Sequence, residues 1–73
     1  MIYPADAVTG RRYMVHAGDE LLVGTLELVG TLELDDAGRY TLRDARCYMD
    51  AECIDSGDYH IFDQDRLIAL PPV

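Results

Sequence analysis

Hydrophobic and polar residues alternate without interruption over residues 22–34. In this segment the even positions are leucine or glycine, while the odd positions are valine, threonine and glutamate. A period of two is typical of a β-strand with one apolar face, and the recurrent glycines and threonines disfavour a helix. We therefore predict one long strand over residues 21–34. Gly24 and Gly30 fall on its inner face, where they allow the sharp coiling that a small barrel requires.

A hairpin and a change of phase follow this strand. Residues 35–38 (DDAG) are typical of a four-residue loop with Gly38 in the left-handed conformation. Beyond the loop the pattern alternates again, with Tyr40 and Leu42 inward and Thr41 and Arg43 outward. The phase then reverses at residues 44–45, which predicts a bulge or a corner. From there the inner face is predicted to hold Ala45, Cys47, Met49, Ala51 and Cys53, and the outer face Arg46, Tyr48, Asp50 and Glu52.

The remaining segments are short. Residues 3–10 read as a helical turn that begins near Pro4 and closes at Gly10. The other predicted elements are a strand at 11–16, turns at 17–20 and 55–58, strands at 59–62 and 66–70, and a stop at the two prolines 71–72. Meandering strands of this size normally close on themselves, because an open sheet leaves one face and two edges unprotected. We predict an all-β fold: one domain over residues 1–73, a five- to six-stranded SH3/Sm-like barrel with a short N-terminal helical turn.

The chain resembles the Sm-like proteins, small barrels that form rings and bind RNA. The resemblance covers about residues 13–70. It rests on Gly30-Thr31-Leu32, Asp35 and residues 39–45, which are similar to the first Sm motif, and on residues 61–70, which stand where the second motif would. Arg39 replaces the asparagine with which the family holds a base, and Asp63-Gln64 replaces its arginine–glycine pair. The resemblance therefore implies the barrel and not the RNA-binding activity.

The sequence offers no arrangement of residues for catalysis or metal binding. Cys47 and Cys53 on one strand would lie roughly 20 Å apart, too far for a disulfide, so both are expected to be small buried thiols in a reducing, cytoplasmic compartment. His16 and His60 are isolated from other metal ligands. Ser56, the sole serine, lies in an acidic segment without a neighbouring base. We predict a protein that is not an enzyme and has no metal or cofactor.

Charge is the main departure from an average composition. Fourteen acidic residues against six arginines, without any lysine, give a net charge of −8. Residues 44–65 carry seven of the acids and one arginine, a net −6, which leaves −2 for the rest of the chain. This balance argues against direct binding of nucleic acid. A membrane-spanning run of apolar residues and a secretory leader are also not expected.

The concentrated acids predict a partner of opposite charge. Asp50 and Glu52 on one strand would place carboxylates roughly 7 Å apart, close to the spacing of phosphates along a nucleic-acid strand. Such a face would attract the basic groove of a nucleic-acid-binding protein. In size and charge the chain resembles small phage inhibitors of restriction or CRISPR complexes. The predicted partner-binding residues are six acids and two candidate aromatic anchors: Asp50, Glu52, Asp55, Asp58, Asp63 and Asp65, with Tyr48 or Tyr59.

Three other interpretations stay open at this point. The acidity could simply keep a small domain soluble, or it could reflect a halophilic proteome. Alternatively the chain is an Sm-like scaffold subunit, in which residues 61–70 pair with the long strand of a neighbouring copy to form a homo-oligomer. The apolar residues 67–70 on a terminal strand favour that arrangement, because an exposed apolar edge invites pairing.

Overall fold

Five antiparallel strands account for most of the fold. The computed structural model describes residues 1–16 and 26–71. The chain begins with one turn of 3₁₀ helix, Pro4–Asp6, and continues into the strands β1 (Arg12–His16), β2 (Leu26–Leu34), β3 (Tyr40–Met49), β4 (Glu52–His60) and β5 (Leu67–Ala69). The predicted all-β class and the N-terminal helical turn are confirmed.

The strands form a single sheet in the order β4-β3-β2-β1-β5. Its inner side carries one buried cluster with contributions from β1, β2, β3 and β5: Tyr13, Val15, Leu28, Leu32, Leu42, Ala45, Cys47, Ile61 and Leu67. A single sheet can bury such a cluster only by curling around it, because the described residues include no second layer. In this order, β4 and β5 are the two edge strands.

The N-terminal segment packs across one end of the sheet. Ile2 pairs with Leu67 of β5, donating its N–H to the Leu67 carbonyl at 2.8 Å and accepting the Leu67 N–H in return. Pro4 is buried, and the Tyr13 hydroxyl oxygen accepts the Val8 N–H at 2.9 Å. The turn is too short to be stable alone, so these contacts hold it in place.

In β2, the alternation of apolar and polar residues predicts correctly which side of the strand is buried. Leu28, Gly30 and Leu32 are buried, and the register pairs Leu32 with Leu42 of β3. The pattern is wrong at the last residue, because Leu34 lies beyond the buried cluster and is 52% exposed. The turn predicted at 17–20, the start of the long strand and Gly24 lie outside the described residues.

The predicted inward and outward sides of early β3 are correct. Tyr40 is half-buried, Leu42 is buried and Arg43 is exposed, as the pattern indicates. Thr41 lies on the outer side as predicted, where it lines a cavity with Arg43 and His60, but it is buried because the His60 side chain lies beside it. The Thr41 hydroxyl and His60 Nδ1 are 3.2 Å apart and share a hydrogen bond.

Two backbone irregularities face each other where β2 meets β3. The β2–β3 register shifts between Val29 and Thr31, and the β3–β4 register shifts between Leu42 and Ala45. Asp44 lies between the latter two with a φ of 50°, which confirms the predicted bulge. Gly30 permits the close approach, because a Cβ on it would come within 2.7 Å of the Ala45 Cβ.

The hairpin between β3 and β4 differs from the prediction. The chain turns at Asp50 and Ala51, which have φ values of 49° and 69°, whereas the pattern predicted a strand running on to Cys53. Two central residues of positive φ are typical of a tight hairpin turn. Such a turn is normally marked in the sequence by Asn-Gly, Asp-Gly or Gly-Gly, whereas here alanine follows the aspartate. The turn predicted at residues 55–58 is wrong, because these residues belong to β4.

This hairpin also changes the environment of the two cysteines. Cys47 lies in β3 and Cys53 in β4, so they occupy neighbouring strands and not one strand. Neither forms a disulfide. Cys47 is buried as predicted, but Cys53 is exposed; that part of the prediction is wrong because Cys53 follows the turn on an uncovered strand.

Candidate protein-interaction surface

The edge strand β4 is the most exposed element of the sheet. Seven consecutive residues, 52–58, are exposed, and β3 is the one described strand that lies beside β4. Ile54 within it is 53% exposed. An edge strand leaves one row of backbone N–H and carbonyl groups open to solvent or to another chain. We call this strand and its side chains the acidic edge.

Carboxylates recur at every third residue of the acidic edge, at Glu52, Asp55 and Asp58. At about 3.3 Å per residue, neighbouring members of this series are roughly 10 Å apart along the strand. Asp55 lies opposite the buried Cys47, on the inner side of the sheet. Asp58 is three residues further along the strand, so it lies on the opposite, outer side of the sheet, where it lines a cavity. The edge therefore presents negative charge on both of its sides.

The other predicted acids are not on this strand. Asp50 lies in the β3–β4 turn, so the predicted placement of Asp50 and Glu52 two residues apart on one strand is wrong. Asp63 is exposed in the connection between β4 and β5. Asp65 is half-buried in the same connection, where its Oδ2 accepts the Phe62 N–H at 2.8 Å and so shapes the loop.

The acidic edge is not neutralised by arginines. Among the described residues the salt bridges join Arg43 to Glu33 at 2.9 Å, Arg39 to Asp35 at 3.9 Å and His16 to Glu27 at 3.9 Å. None of them includes a carboxylate of β4. Asp55 and Asp58 instead accept backbone N–H groups, of Ser56 at 2.8 Å and of Asp44 at 3.0 Å. Their negative charges remain available to a partner.

The two candidate aromatic anchors have different environments. Tyr48 is half-buried and lines a cavity on the outer side of the sheet. Tyr59 packs against the core, and none of the described residues lies at hydrogen-bonding geometry to its buried hydroxyl. Burial, followed by the nearby Asp55 carboxylate, raises the pKa of Tyr59. Burial is also the main cause that raises the pKa of Cys47, again with a contribution from Asp55. Of the two candidate anchors, Tyr48 is therefore the one whose side chain lines an accessible surface.

Further acids join Asp58 on the outer side. A cavity of about 570 Å³ brings together residues from the β2–β3 hairpin and from β4: Glu33, Leu34, Asp35, Asp36, Thr41, Arg43, Asp58 and His60. The sequence predicts a turn at residues 35–36 and gives these residues no part in the surface. Only the register could have revealed the grouping, because Thr41 pairs with Glu33 on one side and with His60 on the other.

Arg43 lines this outer cavity, and its charge is paired with a carboxylate of the same cavity. The Arg43 guanidinium donates to Glu33 Oε2, and this hydrogen bond is the main cause that raises the pKa of Arg43. The charge of Asp58 contributes in the same direction. Four carboxylates thus share the neighbourhood of one guanidinium, so the cavity adds to the negative character of the edge.

Comparison with known proteins assigns neither a family nor a function to the chain. The chain matches no family model, no curated protein and no solved structure. Within residues 1–16 and 26–71, no three His, Cys, Asp or Glu side chains are arranged to hold a metal ion. The same residues contain no helix with the length and apolar character needed to span a membrane.

Proposed function

We propose that this protein is a non-enzymatic binding module whose acidic edge occupies a basic, nucleic-acid-binding surface of a partner protein. The observation that carries the proposal is the seven-residue exposed run of β4, whose carboxylates form no salt bridge within the described structure. A ribbon of negative charge of this kind fits a groove lined by arginine or lysine, and it competes there with a phosphate backbone. Its action is therefore that of a nucleic-acid mimic, such as a phage-type inhibitor of a host defence complex.

Electrostatics favour such an encounter. Unpaired surface charges of one sign steer an oppositely charged protein and accelerate association. The cost of docking is reduced because β4 is already ordered by its ladder with β3. Salt screens these interactions over about 10 Å at 0.1 M and about 3 Å at 1 M. Binding is therefore expected to weaken steeply as salt is raised.

Neutralising two charges of the acidic edge tests this proposal. We expect the double variant Glu52→Gln, Asp55→Asn to bind a fluorescent arginine-rich peptide roughly two- to thirtyfold more weakly at low salt, since each exposed charge contributes about 0.2–1 kcal/mol. Fluorescence anisotropy measures the affinity. A single-stranded DNA oligonucleotide added to the complex should displace the unmodified protein from the peptide.

The matched control is Asp6→Asn, Glu27→Gln. Asp6 is exposed and Glu27 is half-buried; both lie outside β4 and outside the outer cavity, and the change in net charge is the same. We expect this control to bind nearly as well as the unmodified protein. Equal weakening in both double variants would mean that only total charge matters, and the assignment of the site to β4 would be wrong.

A second candidate function is a scaffold subunit of an Sm-like homo-oligomer. The favouring observation is that β4 and β5 are the two edges of one sheet, so pairing of unlike edges between copies would build a ring. Two features oppose it: β5 has only three residues, and Ile2 already pairs with Leu67. Repulsion between acidic copies adds to this cost.

Light scattering after size-exclusion chromatography separates the two functions. The acidic module is expected to elute as a monomer of 8.2 kDa at physiological salt. A stable ring of several subunits would contradict the first proposal, because β4 would then be covered by a copy of the same chain. Screening by added salt should not produce such a ring.

A further inference from the structure

A smaller cavity on the outer side of the sheet has a different character from the acidic edge. It has a volume of about 370 Å³ and spans β1, β2 and β3, with a lining of Arg12, Val29, Gly30, Thr31, Asp44, Arg46 and Tyr48. Volumes of this size accommodate small molecules. Two of its seven lining residues are arginines in a chain that has only six. Its chemistry is therefore distinct from that of the surface already described.

The two guanidiniums lie on either side of β2. Arg12 of β1 is opposite Thr31, and Arg46 of β3 is opposite Val29, only two residues away. Neither arginine side chain forms a hydrogen bond, an ion pair or a ring contact with any described residue. In a protein with more than two acids for each arginine, it is unexpected that two guanidiniums in one cavity have no carboxylate partner in the part of the chain that the structure describes.

The other arginines show how unusual this pair is. Arg39 and Arg43 are paired with carboxylates, and Arg66 lies over the Tyr3 ring at 3.5 Å from its centroid. Arg11 is exposed and does not line the cavity. Arg12 and Arg46 are thus two arginines that share a concave surface and have no partner among residues 1–16 and 26–71.

The backbone irregularities lie at the same place. Gly30 and Asp44, at the facing register shifts, both line the cavity, and Asp44 has a φ of 50°. Bulges redirect side chains and are common beside binding sites. The half-buried Thr31 and Tyr48 add a hydroxyl and an aromatic ring to the lining. Charged, hydrogen-bonding and apolar groups therefore meet in one small space.

We propose that this cavity binds a small organic anion, in which one carboxylate or phosphate group is attached to an apolar or aromatic part. The planar forks of Arg12 and Arg46 match the oxygens of either group, and the Thr31 hydroxyl can donate to the same oxygens. Val29 and the Tyr48 ring supply the apolar contact. Asp44 on the lining disfavours ligands that carry a second anionic group. This site goes beyond the proposed function, since it uses cations away from the acidic edge.

Titration of the isotopically labelled full chain with benzoate and with phenyl phosphate, followed by amide chemical shifts, tests the proposal. Acetate and inorganic phosphate serve as probes without the aromatic part and are expected to bind more weakly. We expect saturable shifts that centre on residues 12, 29–31 and 44–48. Saturation by benzoate alone, by phenyl phosphate alone or by both supports the site and identifies the anionic group. The absence of saturable shifts with all four probes would overturn it.

Three single variants make the assignment specific. Arg46→Gln should weaken binding at least about tenfold, because a hydrogen-bonded charge is removed, and Arg46→Lys should recover part of the loss. Arg11→Gln is the matched control, with the same change of charge one residue from Arg12, and it should leave the affinity unchanged. Amide spectra of the free variants report whether each is folded. If Arg11→Gln weakens binding as much as Arg46→Gln, the anion is attracted by general charge and the proposal is wrong.

Discussion

Replacement of Leu32 by alanine is expected to remove about half of the free energy of unfolding of the domain. Leu32 has 0% exposure and lies opposite Leu42, which also has 0% exposure. Truncation of a fully buried leucine costs about 2–5 kcal/mol, and a domain of this size has a stability on the order of 4–11 kcal/mol. Urea denaturation followed by circular dichroism measures the loss as a lower midpoint.

Leu34→Ala is the matched control for this prediction. It makes the same chemical change two residues along β2, at a side chain that is 52% exposed. Surface substitutions usually change stability by no more than about 0.5 kcal/mol. Comparable losses in the two variants would show that the buried side of β2 has been assigned incorrectly near its end.

Replacement of Gly30 by alanine is the second substitution with a large expected effect. The added Cβ would lie 2.7 Å from the Ala45 Cβ, 3.0 Å from the Ala45 Cα and 3.1 Å from the Arg43 carbonyl oxygen. Overpacking of a well-packed site costs about 1–3 kcal/mol, and here two of the three neighbours are backbone atoms that cannot move by a change of rotamer. The urea midpoint is expected to fall accordingly.

A compensating substitution tests the cause. In the double variant Gly30→Ala, Ala45→Gly the closest contact disappears, while the contacts with the Ala45 Cα and the Arg43 carbonyl remain. We expect the two changes to be less destabilising together than the sum of the single effects, which a double-mutant cycle measures. Strict additivity would show that the close approach of β2 and β3 is not what requires glycine.

The local alternation predicted the inner side of the sheet well, because burial acts on each strand residue by residue. Leu28, Gly30 and Leu32 were assigned in this way, and the reversal of phase located the bulge at Asp44. The alternation could not locate the turn at Asp50 and Ala51. Both residues continue the alternating pattern, and their positive φ is imposed by pairing with the returning strand rather than by glycine.

The sequence predicts the acidic composition of the candidate surface but not which side chains lie next to one another on it. The excess of acid in residues 44–65 is visible in the sequence, since it needs only counting. The exposure of β4 on both sides depends on its place at the edge of the sheet, which is a property of strand order. The grouping of Asp58 with Asp35 and Asp36, and the meeting of Arg12 with Arg46, depend on register between strands that are distant in sequence.

The pairing of Ile2 with Leu67 has a consequence for stoichiometry. Both backbone groups of Leu67 that point away from β1 are already bonded to Ile2, so β5 offers little to an incoming strand. Of the described strands, β4 is therefore the one edge that can accept a neighbouring strand. A complex formed there saturates at one partner per chain, and association of two copies through β4 would stop at a pair instead of growing into a filament.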